Sequence, residues 1–249
     1  MRYSTWDVYF SDKLNQTEYA GGTFDHSQLC NEVCVAEPSL HLAISMRSFR
    51  AETLSTVIYH VIAGDAARAA RTYKPIEDRF PIRITRNIEL AKQWIRQRAR
   101  GVDTKGLITS SGAHRLRPYS IYAKNRISAA DWFLNGPEDV RSCHYLEDVA
   151  TEFDIQGLEL DWCLVAWDAD YRFRGGEFEH WEFGGSSWKR RHHEASRRYL
   201  ENAYRVLLTR SRQGMAIFVP KGDPTDKTRR PEFYDETYQF LLDCGVPRL

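Results

Sequence analysis

No apolar run in this chain approaches the roughly 20 residues that a membrane-spanning helix needs. Met1 is followed by polar and aromatic residues where a secretory leader would place an apolar stretch. Neither a membrane anchor nor a signal region is expected. An excess of one charge is missing as well: 35 Lys and Arg stand against 34 Asp and Glu, for a formal net charge of +1. No whole-molecule field therefore announces a polyanionic partner. Cysteine is sparse and odd in number, five in 249 residues, which suits a reducing, cytoplasmic setting better than a disulfide framework. Cys30 and Cys34 are spaced like half a zinc site, but no second Cys/His pair follows at matching spacing, so free thiols and no metal are expected. Internal repeats and low-complexity linkers are also absent.

What is present is alternation. Leu40–Ser45 (LHLAIS) reads as a buried strand, Ala51–Gly64 as an amphipathic helix closed by Gly64, and Pro81–Thr85 as a short strand. Asn87–Arg100 carries Ile88, Leu90, Ala91, Trp94 and Ile95 at helical spacing, and Gly106–Thr109 is a strand running into Ser-Ser-Gly. Trp162–Trp167 is a continuous apolar strand, Ser196–Thr209 a helix with Leu200, Ala203, Tyr204 and Leu207 on one face, and Gly214–Val219 a buried strand stopped by Pro220. Glu232–Cys244 closes the chain as a helix, with Gly245 just past its end. Buried strands alternating with helices predict an α/β fold, a mainly parallel sheet with helices on both faces. Residues 40–249 form this domain and residues 1–39 an N-terminal extension. Ligands of such sheets sit beyond the carboxyl ends of the strands. The loops after Ser45, after Thr109 and before Trp162 are therefore the places to search. Asp168–Trp188, rich in glycine and aromatics, interrupts the alternation as a hairpin or inserted loop.

Four segments hold candidate chemistry. Ser45-Met-Arg-Ser48 sets Arg47 at a strand end, where its planar charged fork suits a phosphate; an ordinary surface arginine is the competing reading. In Thr109-Ser-Ser-Gly-Ala-His-Arg-Leu-Arg117, Ser110, Ser111 and the glycine offer hydroxyls and backbone N–H groups to an anion, and His114, Arg115 and Arg117 add positive charge. The alternative is a helix N-cap with a solvated helix behind it. In Thr151-Glu-Phe-Asp-Ile-Gln-Gly-Leu-Glu159, Gly157 permits close backbone approach to a ligand, Gln156 both donates and accepts, and Glu159 can accept from ribose hydroxyls. A plain helix start with favourable carboxylates is the alternative. Asn202–Arg212 (NAYRVLLTRSR) leaves Arg205, Arg210 and Arg212 near a helix end, more cations than dipole complementation asks for.

Taken together, in this order, the segments resemble the second RecA-like domain of superfamily 1 DNA/RNA helicases. LAISMRS is similar to the motif whose common form is N-Y-R-S, with Arg47 in the arginine position. TEFDIQGLELD is similar to T-x-H-x-x-[QK]-G-x-E, matching at Thr151, Gln156, Gly157 and Glu159, with Phe153 where many members have His. NAYRVLLTRSR is similar to the motif ending V-A-L-T-R-A-R, with Arg210 in the finger position. LITSSGAHRLRP, DWFLN, EDVATEFDIQGLELDW and NAYRVLLTRSRQGMAIFVP are closest to the Schlafen group 3 helicase domain. The resemblance is strong from Leu40 onward and faint before it. It implies that Gln156, Gly157 and Glu159 face a nucleotide in a cleft between two RecA-like domains. Arg47 and Arg210 would act there on ATP, while Ser110, Ser111 and Thr151 meet a single-stranded DNA or RNA.

The phosphate loop G-x-x-x-x-G-K-[ST] occurs nowhere in the chain. That loop and the acidic residue that helps hold Mg²⁺ would belong to the first RecA-like domain. The expectation is a C-terminal half of a helicase-type ATPase: a fragment, a truncated reading frame or a subunit of a split enzyme. It would share ATP and Mg with a first domain in cis or trans and bind neither alone. Two other classes stand beside this. Asp161, Asp168, Asp170 and Glu177 are clustered carboxylates of the sort a metal-dependent nuclease uses, though no lysine sits suitably among them and solvated loop acids are the better reading. The basic run from Lys189 to Arg198, beside Trp181, Phe183 and Trp188, would suit a stand-alone nucleic-acid-binding module or a merely solvated helix face.

Overall fold

The computed structural model describes residues 7–11, 34–40 and 49–249. Arg47, Cys30 and residues 41–45 of the expected first strand lie outside the described residues. The chain divides into two compact units, residues 1–48 and 49–249. In the first, β1 (Val8–Phe10) pairs in parallel with β2 (Cys34–Ala36), and a 3₁₀ turn follows at Pro38–Leu40.

In the second unit, chain order is α1 (Phe49–Ile62), α2 (Ala66–Tyr73), β3 (Ile82–Thr85), α3 (Ile88–Arg98), β4 (Lys105–Thr109), α4 (Ala129–Leu134), β5 (Val149–Thr151) and β6 (Leu160–Ala166). Then come β7 (Tyr171–Arg174), β8 (Glu177–Gly184), β9 (Ser187–Arg190), α5 (Glu194–Leu208), β10 (Ser211–Phe218) and α6 (Asp235–Asp243). β3, β10, β6, β4 and β5 lie side by side in that order, every pair parallel. This is the expected RecA-like α/β sheet.

Side-chain alternation explains why the sheet needs cover on both faces. Along β10, Met215 and Ile217 point into one core while Ala216 and Phe218 point into another. Along β6, Cys163 and Val165 join the first core, and Trp162 and Leu164 the second. The first core is closed by α1, α2, α5 and α6, among them Leu54, Val57, Ile58 and Val61 at helical spacing, Leu200, Tyr204 and Phe240. The second is closed by Ala91 and Ile95 of α3 with the loop residues Ala113, Leu116 and Leu146. Each large apolar side chain so buried contributes roughly 1.5–3 kcal/mol. Two strand glycines admit a neighbour instead. A Cβ at Gly106 would stand 2.6 Å from Trp132, and one at Gly214 would stand 2.7 Å from the Pro81 carbonyl.

Asn87 caps α3, its side chain accepting from the N–H groups of Glu89 and Leu90. Gly64 and Gly245 sit just past the ends of α1 and α6 with φ of 75° and 82°. The aromatic, glycine-rich segment resolves into a three-stranded antiparallel meander, β7-β8-β9.

Candidate functional site

Because all five strands of the sheet run the same way, it has one carboxyl edge and one amino edge. Thr109 and Thr151 end β4 and β5 and pair with each other at the carboxyl edge. Leu160 and Ser211 begin β6 and β10 and pair at the amino edge. Sequence reasoning put the Gly157 turn and the Ser110–Ser111 and Thr151 positions on a single edge. The structure sets them at opposite ends, separated by roughly 20 Å along the seven-residue β6.

At the amino edge, Gln156 and Gly157 are exposed and Glu159 is half-buried. Gly157 has φ of 81° with open space where a Cβ would go. The glycine is thus required by backbone conformation, not by crowding. Arg210 lies against this turn. Its Nη1 donates to the Leu158 carbonyl at 3.4 Å, and its own carbonyl accepts from Leu160 N–H at 3.0 Å. Next to it, Asp161 accepts from Thr104 N–H and Oγ1 at 2.9 Å each, from Gln213 at 3.1 Å and from Arg212 at 2.9 Å. Burial works against the charged form of Asp161, but these bonds and the Arg212 charge outweigh it and hold the carboxyl below its ordinary range. Ser211 Oγ ties the same corner to the Asp161 and Gly214 carbonyls. The NAYRVLLTRSR cations thus divide: Arg212 is used on Asp161, Arg205 bonds Asn202 at 2.6 Å, and Arg210 faces the glycine turn. An arginine beside an exposed amide and an open glycine turn is a donor set that fits one flank of a polyphosphate.

At the carboxyl edge the geometry is closed inward. Ser110 is 1 % exposed, and its hydroxyl donates to Asp170 Oδ2 at 2.7 Å. Ser111 gives both its N–H and its hydroxyl to Glu152, at 2.8 and 2.7 Å. Thr151 is buried, and its N–H and hydroxyl both donate to Asp154 Oδ2. The loop's backbone donors are taken up in the same way. Gly112 N–H meets Ser110 Oγ, Ala113 N–H the Ser110 carbonyl, His114 N–H the Gly112 carbonyl, and Arg115 N–H Asp168 Oδ2. The loop is therefore neither an open nest of N–H groups nor the cap of a following helix. It is a turn folded onto carboxylates, with Arg117 exposed and the His114 and Arg115 side chains half-buried beside it.

Two carboxylates that sequence reasoning assigned to solvent anchor it. Asp168 and Asp170, 1 % and 0 % exposed, accept three bonds each. Asp168 takes them from Arg115 N–H, Ala169 N–H and the Tyr234 hydroxyl. Asp170 takes them from Ser110, Tyr171 N–H and the Tyr204 hydroxyl at 2.6 Å. Burial, then the charge of Asp170, pushes Asp168 up to about 7, and burial likewise raises Asp170. The nuclease grouping does not form. Asp161 sits at the amino end of β6, Asp168 and Asp170 beyond its carboxyl end, and Glu177 on the exposed meander. No cluster of three potential metal ligands occurs among the described residues.

The raised Asp168 gives a pH dependence with a definite sign. A carboxyl that titrates higher folded than at its ordinary 3.8 keeps a proton in the native state that the unfolded chain has released. Unfolding free energy therefore falls as pH rises from about 4 through about 7. Urea melts at pH 5 and pH 8 should differ through this pair by on the order of 2–4 kcal/mol, and Asp168→Asn should remove most of that difference. An equal slope in the variant would contradict the assignment.

Two exposed aromatics complete the carboxyl edge. Phe153, 59 % exposed, stacks on Tyr199 of α5 with ring centroids 6.0 Å apart, and the Tyr199 hydroxyl donates to Glu152. The Phe153–Tyr199 platform was not anticipated from sequence. The only signal there was the Phe at a position where His is usual.

In comparisons with known proteins, the family model for the Schlafen group 3 DNA/RNA helicase domain matches residues 3–221. The match begins well before Leu40, where the sequence resemblance was strong, and ends before α6. No curated protein and no solved structure matches. With more than four-fifths of its length inside that match, the chain belongs to the Schlafen group 3 DNA/RNA helicase domain family.

Proposed function

We propose that this chain acts as the second RecA-like domain of a superfamily 1 DNA/RNA helicase-type ATPase. In this reading it supplies arginine to ATP and Mg²⁺ held by a first RecA-like domain, in cis or in trans. The observation that carries the reading is the amino-edge corner, where Arg210 lies against the Gln156-Gly157-Leu158-Glu159 turn. Arg210 would stabilise charge that develops on the transferred phosphoryl group. The exposed Gln156 amide and the backbone at Gly157 would orient the nucleotide, and Glu159 its ribose. Arg47 is the second arginine of the same proposal. Bound ATP would contribute the phosphoanhydride, and Mg²⁺ the neutralising charge, neither of which this chain's residues replace.

Single-stranded nucleic acid would run over the carboxyl edge. Thr151 and Ser111 would meet it through the lone pairs their internal bonds leave over, and Ser110 would hold the loop. Phe153 and Tyr199 would offer ring faces to bases. A stand-alone nucleic-acid-binding module is the second reading, favoured by the basic side chains that project beside the meander. One measurement separates the two. The purified chain should bind single strands weakly and show no nucleic-acid-stimulated ATP turnover, whereas adding a phosphate-loop-bearing first domain should restore turnover. Robust hydrolysis by the chain alone would defeat the half-ATPase reading. Strand binding with no response to any first domain would favour the module.

A further inference from the structure

We propose that the cleft between the Ser110–Arg117 loop and the β8–β9 turn is an anion site that takes a backbone phosphate of a single-stranded nucleic acid. The inference rests on the nucleic-acid half of the function proposed above. The cleft has a volume of about 200 Å³ and is lined by His114, Arg115, Arg117, Lys124, Phe183 and the Gly184–Gly185 turn. No carboxylate lines it. The chain as a whole is nearly neutral, so three permanent cations and an imidazole around one small cavity are a local concentration of charge.

The fold explains why these side chains are available. Every backbone donor from Ser111 to Arg115 is engaged internally, so over this stretch it is the side chains that can attract an anion. Arg115 is fixed from two sides. Its guanidinium pairs with Asp226 at 2.9 Å and lies over the Phe183 ring at 4.9 Å. Its Nε is buried with no hydrogen-bond partner among the described residues. Arg117 and Lys124 are exposed, and neither makes an ion pair among the described residues. His114 is steered by its contact with the Phe183 carbonyl at 3.2 Å, which joins the loop to the meander. The result is one neutralised arginine that holds the wall and two unneutralised cations at the mouth. Exposed cations beside an aromatic ring and a glycine turn suit a phosphodiester, which carries one charge per nucleotide and needs no shape-specific cradle.

The test is binding of a labelled oligothymidylate to the full chain over a KCl series, comparing the native protein with Arg117→Gln/Lys124→Gln. Both side chains are exposed and outside any ion pair, so the variant should fold normally, as a thermal melt will show. Affinity should fall on the order of tenfold, and the slope of log K against log salt should shrink by about 1.4, two single-strand phosphate contacts' worth. Lys189→Gln/Arg197→Gln removes the same charge from the neighbouring basic run and should leave the slope nearly unchanged. If that control loses as much, or if the cleft variant keeps the native slope, the cleft assignment is overturned while the nucleic-acid reading survives. If the native chain binds no strand at any salt, both fall together. Inorganic phosphate alone, matched with chloride for ionic strength, should raise the melting temperature no more than chloride does; a selective rise that the cleft variant loses while its strand affinity stays native would assign the cleft to a free anion and overturn the strand.

Discussion

Replacing Arg210 with alanine should lower ATP turnover by roughly 10³-fold or more, the range that a supplied arginine commands in phosphoryl transfer. The measurement uses this chain together with a phosphate-loop-bearing RecA-like domain, because the chain itself contains no such loop. The loss should appear in kcat more than in KM, since the guanidinium is needed where charge develops and not where substrate first docks. Arg210→Lys should recover only part of the rate, because an ammonium keeps the charge but not the planar fork. A thermal melt should show both variants folded, so that the loss is read on native protein. Arg205→Ala is the matched control: it removes a cation one turn earlier, bonded to Asn202, and should leave turnover near normal. Turnover by Arg210→Ala within tenfold of native would end the claim for this residue.

The second large effect is on stability. Asp170→Ala should destabilise the domain by about 3–5 kcal/mol, lowering its melting temperature by roughly 10 °C or more. The substitution leaves Ser110, Tyr204 and the Tyr171 N–H with no acceptor in a place water does not reach. Relief of the repulsion with Asp168 returns some of the loss but not most of it. Asp170→Asn, which keeps one oxygen acceptor, should cost distinctly less, and Tyr204→Phe about 1 kcal/mol. If alanine and asparagine were equivalent in urea melts, the carboxylate would not be the acceptor that organises this corner. Because Asp170 also fixes Ser110, the alanine variant should loosen the Ser110–Arg117 loop even below its melting temperature.

The parts of the fold most legible in the sequence were those with the simplest physical signature. β4, β6 and β10 are continuous apolar runs because both their faces are covered, and a run of that kind has few other uses. α5 announced itself through Leu200, Ala203, Tyr204 and Leu207 at helical spacing, all of them buried. β5 did not, because three residues, Val149–Thr151, carry no period of their own between acidic neighbours. α2 was missed for a related reason: AARAARTY shows mostly alanine and arginine, and only Ala69 and Tyr73 are buried. The Arg210–Gly157 neighbourhood followed from motif order. The division of the site between two edges did not, because it follows from Thr151 ending β5, a strand the sequence did not display, while the parallel β6 begins only at Leu160. Asp168 and Asp170 looked like loop acids because a sequence does not display the tyrosines, Tyr204 of α5 and Tyr234 just before α6, that come back from distant positions to bond them.

The segment from Thr151 to Leu160 works as a ruler. It must cross from one edge of the sheet to the other and step over β4, a distance of roughly 22 Å. Wound as helix throughout, its nine steps would span about 13 Å, and fully extended about 30 Å. The chain meets the distance by winding through successive turns over residues 152–157 and straightening after Gly157, where φ reverses sign. One residue more or less would displace the Gly157 corner from Arg210 or pull Thr151 away from Asp154. The fixed count of residues between the threonine and the glutamate of this motif is therefore a length gauge, cut to the height of the sheet it spans.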